Sequence, residues 1–180
     1  MAKTQRSAHR WRRALVPATP LLLGTTGKDT SAAAMKISTH AFSERRPIPE
    51  RFTADGKNAN PPLVVSGVPK EAKSLVLIVD DPDAPMGAWT HWIVWNMNPG
   101  TTAISEDSVP RDAVVGRNDA GTAKYVGPAP PRGTHRYYFR LYALDTKLDL
   151  DAGTTRPDLD AAMQSHILAK SELLGRYGRE

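Results

Sequence analysis

A mainly β fold, two antiparallel sheets forming a β-sandwich with one or two short helices, is the architecture predicted by this chain of 180 residues. Three observations carry it. Apolar runs of strand length, rich in Val, Ile, Trp, Tyr and Phe, recur between clusters of turn residues. Prolines and glycines number 15 and 13, a composition suited to many loops. One late segment, near 156–167, spaces its apolar residues as a helix would.

Residues 36–42 alternate weakly and predict a first strand. Residues 43–61 are dense in turn formers, with Asp55-Gly56 marking a tight turn. Leu63 to Val65 predicts a short strand, and 67–73 a loop. Leu75 to Val79 is apolar at every position, so it predicts a strand covered on both faces. Trp92 to Met97 predicts the next strand, closed by a turn at Asn98-Pro99-Gly100. Short strands are expected at 101–104 and 113–115, then a long polar loop at 117–132, a length that commonly carries function. His135 to Leu144 has the clearest strand pattern of the chain. Thr155 then stands as N-cap with Pro157 and Asp158 in the first turn, and Leu159, Met163, His166 and Ile167 share a helical face. Residues 169–178 predict a last edge strand, with an extension of the helix as the alternative.

Residues 1–34 hold six of the 24 bases and one of the 19 acids, so the whole excess of +5 sits there. Residues 35–180 are electrically balanced, which removes the broad basic footprint a nucleic-acid partner would need. The domain is therefore expected over 35–180. Residues 1–34 read as a disordered tail, an over-long extension or a targeting segment; Arg12-Arg13 before a short, proline-broken apolar run is a partial signal pattern. A cytoplasmic location is expected, with export as the alternative if that segment acts as a signal. No run approaches the about 18 apolar residues of a membrane span, so an integral membrane protein is not expected. The absence of cysteine excludes disulfides, thiolate catalysis and Cys-ligated zinc.

Two segments carry the chemistry. The first runs Asp80 to Asn96: an apolar strand meets Asp80, Asp81 and Asp83, broken by Pro82 and Pro85, and His91 follows among aromatics. The second, Gly127 to Asp145, repeats the design with Pro128, Pro130 and Pro131 before His135 and an aromatic strand. Facing each other, they would form one polar pocket. Two imidazoles can supply N–H donors to a phosphate-like anion, and backbone N–H groups of Arg132, Gly133 and Thr134 can add to them. Asp81 can fix the tautomer of a histidine, or instead hold an ammonium group against Trp89, Trp92 and Tyr137. Plainer readings stand beside these. Asp80 reads as a turn residue, Trp89, Trp92 and Trp95 as packing, and His40 and His166 as structural because no charged residue accompanies them. No H-x-x-x-H, G-x-S-x-G or phosphate loop is present, so neither metal nor cofactor is expected and catalysis is the lesser reading.

Taken together, D-P-D-A-P (81–85), T-H-W-I-V-W-N (90–96), G-P-A-P-P-R-G-T-H-R-Y (127–137), P-I-P-E-R-F-T-A-D-G (47–56) and N-P-P-L (60–63) resemble the phosphatidylethanolamine-binding protein family, in its bacterial and archaeal Raf-kinase-inhibitor-like branch. The resemblance covers about Met35 to the C-terminus. It implies two antiparallel sheets and a small pocket for phosphate-like anions lined by Asp81, His91, Pro130, Pro131, His135 and Tyr137, supported by Asp83, Trp89, Arg132, Gly133 and Arg136. The implied function is non-enzymatic binding of a small anionic or phosphorylated ligand, such as a phospholipid head group, with modulation of a kinase or protease partner; a homodimer is compatible with it. The family's mammalian members add a C-terminal helix; only Gly178 to Glu180 follow Tyr177 here, so gating tied to that helix does not carry over. One alternative is a protease inhibitor acting through an exposed loop at 107–128, and another is a hydrolase using Asp81 and His91.

Overall fold

The run Leu75–Val79 is apolar at both parities because both faces of its strand are covered. The structure, a computed structural model, describes residues 34–179, so the readings of residues 1–33 lie outside the described residues. Eight strands are described among them: β1 (Lys36–Ser38), β2 (Leu63–Ser66), β3 (Ser74–Asp81), β4 (Trp89–Met97), β5 (Ala103–Ile104), β6 (Val114–Val115), β7 (Gly133–Leu144) and β8 (Ile167–Arg179). They form a three-stranded sheet, β1-β2-β5, and a five-stranded sheet, β6-β4-β3-β7-β8, antiparallel throughout. A 3-10 turn at Glu50–Phe52 and one helix, α1 (Arg156–Met163), complete the order. No helix among the described residues is long and apolar enough to cross a membrane.

Every residue of β3 is buried. Its odd positions, Leu75, Leu77 and Val79, pack with Ile37, Leu63 and Val65 of the small sheet and with Phe139 and Leu141. Its even positions, Val76 and Ile78, pack with Ile93, Trp95 and Tyr142, and beyond them Leu159 and Met163 of α1. One central strand thus serves two cores, as expected for a period of two residues between covered faces. In β7 the same alternation sends His135, Tyr137, Phe139 and Leu141 inward while Thr134 and Arg136 stay exposed.

The period of two also divides the carboxylates at the end of β3. Asp80 turns to the helix side, where its oxygens accept from Arg140 Nε (3.0 Å to each) and Arg156 Nη1 (3.1 Å). Arg140 also pairs with Glu172 and stacks over Tyr138, 4.4 Å from the ring centroid; Arg156 holds Asp160 one turn on. The reading of Asp80 as a turn residue is thereby corrected. It is a buried acceptor that ties β3, β7 and the first residue of α1 together.

Other differences have local causes. The first strand stops at Ser38 because the Thr39 hydroxyl accepts the Ala41 N–H (3.1 Å) and bends the chain away. The helix ends at Met163 rather than near 167. Ile167 instead opens β8, which pairs with β7 along nearly its whole length; a twelve-residue partner ladder outweighs the helical spacing of His166 and Ile167. His166 is not unaccompanied: its Nδ1 donates to Asp145 Oδ1 (2.8 Å), beside the Asp145 N–H to His166 carbonyl bond. Thr155 holds the N-cap position, but its hydroxyl donates to Asp158 Oδ2 (2.8 Å) instead of accepting a backbone N–H. The last segment is the edge strand that residues 169–178 predict.

Asp80→Asn should lower stability by about 2–3 kcal/mol, because two half-buried guanidinium groups lose their shared carboxylate. A urea midpoint moved by less than a tenth of the total stability would contradict the tying role.

Candidate functional site

Where the inner face of the large sheet runs out, β3, β4 and β7 leave their last inward side chains to a loop rather than to the second sheet. The result is a hollow of about 250 Å³ lined by Asp81, Ala84, Pro85, Trp89, His91, Val126, Gly127, Ala129, Pro130, Pro131, His135 and Tyr137. It is smaller than most drug-sized ligand sites and suits a compact polar group. The six residues expected to line a pocket, Asp81, His91, Pro130, Pro131, His135 and Tyr137, are brought together here, with Trp89 at the side.

Asp81 uses both oxygens. Oδ1 accepts the Asp83 N–H (2.8 Å), closing the turn through Pro82, and Oδ2 accepts from His135 Nδ1 (2.7 Å). His135 is therefore a ring whose Nδ1 carries the proton and whose Nε2 is left over. His91 reaches the same state by another route: its Nδ1 donates to the Val126 carbonyl (2.7 Å). Asp81 engages His135 and not His91, so the Asp81–His91 couple of the hydrolase alternative is not formed. The expectation that both rings simply offer N–H groups also needs correction. With Nδ1 protonated, a neutral ring presents Nε2 as an acceptor, and only the imidazolium donates there.

Burial dominates the electrostatics. It pulls the His91 pKa below its ordinary value, against the raising influence of the Val126 carbonyl and of Asp81, Asp80 and Asp119. Tyr137 is pushed far up, first by burial and then by the negative charge of Asp81, so its hydroxyl stays protonated. That hydroxyl is buried beside the Asp81 carboxylate and the Ala129 backbone, but makes no well-formed hydrogen bond to either. The Tyr137 ring meets His91 edge-on, with centroids 5.3 Å apart at 75°. An unpartnered buried hydroxyl is costly, and polar sites of this kind are uncommon in a folded protein.

The loop that closes the hollow is fixed by residues the sequence did not single out. Asn118, itself buried, donates Nδ2 to the His91 carbonyl (3.2 Å) and the Lys124 carbonyl (2.8 Å) and accepts the Thr122 N–H (2.9 Å). Asn58 Oδ1 accepts the Gly127 N–H (2.7 Å), and the Val126 N–H bonds the His91 carbonyl (3.2 Å). Gly127 has no room for a side chain: a Cβ would fall 2.7 Å from the backbone of Phe52 and Thr53. An isolated asparagine in a polar loop carries no pattern of this role, and a carbonyl acceptor such as Val126 carries none at all.

Five expected contributors lie elsewhere, among them Thr134, which pairs with Gly178 and lines a different cavity. Trp92 packs in the core, edge-on to Tyr125 at 5.7 Å, while the register shift between Val79 and Asp80 leaves His91 without a partner on β3. Arg132 and Gly133 do not line the hollow, since Gly133 already opens the β7–β8 ladder opposite Arg179. Arg136 is outward and held by Asp83 through its N–H (2.9 Å), Nε (2.9 Å) and Nη2 (2.6 Å). This grip fixes the D-P-D turn, so Asp83 and Arg136 support the site from outside. Among the described residues, no group of three or more His, Asp or Glu side chains is gathered as a metal site.

Comparisons with known proteins agree with this architecture. The family model described as phosphatidylethanolamine-binding protein matches residues 38–178. A UPF0098 protein of Methanothermobacter thermautotrophicus is 51% identical over 150 residues, 81% of this chain and 99% of its own. A crystal structure of CT736 from Chlamydia trachomatis, a putative phosphatidylethanolamine-binding protein homolog, superposes with a TM-score of 0.78 at 46% identity, covering 82% of this chain and 99% of its own. The structure of YBCL from E. coli, described as a new member of the mammalian PEBP family, gives 0.78 at 29% identity, covering 82% and 100%. A central strand serving two cores, a hollow at its end and a matched stretch of 38–178 lead to one assignment: the chain belongs to the phosphatidylethanolamine-binding protein family.

Proposed function

We propose that this hollow makes the protein a non-enzymatic binder of phosphate-like anions, such as a phospholipid head group or a phosphorylated side chain. One observation supports it above the others: the buried, protonated Tyr137 hydroxyl, which lacks a well-formed hydrogen bond, shares the hollow with two rings whose Nδ1 atoms are already engaged. An oxyanion satisfies the hydroxyl at once, and each imidazole that takes up a proton adds a charge-assisted donor at Nε2. Binding an anion therefore draws protons in. Capture of a phosphorylated side chain would be the route by which the protein modulates a kinase or protease partner. An inhibitory loop at 107–128 has no need of an orphan donor in a buried hollow, so the observation favours anion capture over it.

Sulfate is the suitable probe, because it does not titrate near neutral pH whereas a phosphate monoester does, near pH 6. Calorimetric titration in buffers of different ionisation enthalpy should register proton uptake, and affinity should rise from about pH 8 to about pH 6. Affinity flat with pH and no proton exchanged would sink the mechanism.

The free protein should show the opposite trend in stability. A depressed pKa for His91 in the fold means that the unfolded chain takes the proton first. Its contribution is therefore full above about pH 6.5 and is lost as pH falls through the lower folded value. Saturating sulfate should offset that loss.

Tyr137→Phe separates ligand binding from folding. Deleting an unpaired buried hydroxyl should leave the melting temperature unchanged or raised, while sulfate affinity drops about tenfold, the loss expected for one hydrogen bond to a charged group. A destabilised variant with unchanged affinity would show that the hydroxyl is structural.

A further inference from the structure

A second cavity, of about 530 Å³, lies on the outer edge of β8, where the segment before Ile48 runs alongside that strand. Its polar lining is Arg45, Arg46, Arg176, Arg179, Thr134 and Tyr177, four guanidinium groups and no carboxylate. The backbone forces them together. The Arg176 N–H bonds the Arg46 carbonyl (3.0 Å), the Ile48 N–H bonds the Arg176 carbonyl (2.7 Å), and Pro47 bridges Arg176 in parallel. Arg45 is held with a φ of +63° by its N–H to the Leu174 carbonyl (2.7 Å), a conformation rare outside glycine and asparagine.

Charge compensation is uneven. Arg179 is neutralised by Asp55, to which it donates from Nε (2.8 Å) and Nη2 (2.5 Å). Arg45 has only a loose, exposed contact with Glu44 at 4.0 Å. Arg46 and Arg176 have no carboxylate within salt-bridge distance among the described residues. Since residues 35–180 carry as many acids as bases, this concentration of like charge is local and not a reflection of a basic domain. Exposed guanidinium groups on backbone held this close, and without a counter-charge, can grip an oxyanion in bidentate fashion.

We infer that this arginine groove is a second, distinct anion site that takes phosphate groups, either free or on a lipid surface. It abuts the first site without merging with it. Tyr177 stands directly opposite His135 in the β7–β8 register, its hydroxyl donates to Asp55 Oδ2 (2.7 Å), and Arg179 reaches the Pro130 carbonyl (3.4 Å). Arg179, which lines the groove, thus touches Pro130, which lines the hollow. A ligand bearing two phosphates, or a head group within an anionic surface, could meet both.

The test is a titration of the protein with inorganic pyrophosphate, followed by calorimetry and by NMR of the arginine side chains. Three proteins are compared: the unaltered chain, Arg46→Gln/Arg176→Gln, and His135→Ala. The double variant should lose at least tenfold in pyrophosphate affinity while the His91 and His135 resonances still respond to sulfate. His135→Ala should keep the groove's response, which makes the outcome independent of the hollow's function. Affinity within twofold of the unaltered chain in the double variant, or shifts confined to the hollow, would overturn the inference. Co-sedimentation with phosphatidylglycerol vesicles separates the sources. Arginine-dependent sedimentation that pyrophosphate does not reverse assigns the groove to lipid phosphate, and reversal assigns it to free phosphate.

Discussion

The structure depends on the two-residue period at the end of β3, which sends neighbouring carboxylates to opposite faces of one strand. Asp80 goes to Arg140 and Arg156 and secures the helix; Asp81 goes to His135 and secures the hollow. A one-residue slip would turn Asp80 away from Arg140 and Arg156 and Asp81 away from His135. The register is guarded by the buried network around Asp80, so the cost of breaking that network is also the cost of misplacing the site.

Around this constraint, the hollow gives up some stability for what it can bind. A well-packed core would satisfy the Tyr137 hydroxyl or do without it, and would not bury His91 where its charged form is disfavoured. At neutral pH the buried His91 ring is neutral and bonded to the Val126 carbonyl, so only its protonation is disfavoured; under the proposed function an oxyanion would offset that cost and give the Tyr137 hydroxyl an acceptor. The Trp92 and Trp95 indole N–H groups are likewise buried without partners, but in the two cores, so what sets the Tyr137 hydroxyl apart is its place in a hollow. The arginine groove is the surface counterpart, with Arg46 and Arg176 brought together by backbone bonds and without a carboxylate partner among the described residues.

Much of this was legible in the chain. The all-apolar run before three acids marked a doubly covered strand ending at a cavity, and the paired proline–histidine segments marked its walls. The motifs of the family resemblance marked the same residues, which lie within the stretch 38–178 that the family model matches. What the sequence hid is what three dimensions decide. Asp80 looks like a turn residue because its partners lie 60 and 76 positions away. His166 and Ile167 fit a helical face, yet the long β7 ladder claims Ile167 for β8. Arg132 and Gly133 sit beside His135 in sequence, but the hairpin ladder draws them away from the hollow. Asn118 and the Val126 carbonyl fix His91 without any residue pattern to announce them.

The tautomers of the two histidines carry the account, and nitrogen-15 NMR of the imidazole rings reads them directly. Near pH 7 the free protein should show the proton of each ring on Nδ1, with Nε2 of His91 bare, and added sulfate should protonate that Nε2. A proton resident on Nε2 with bare Nδ1 in either ring, or no response of His91 to saturating sulfate, would contradict it.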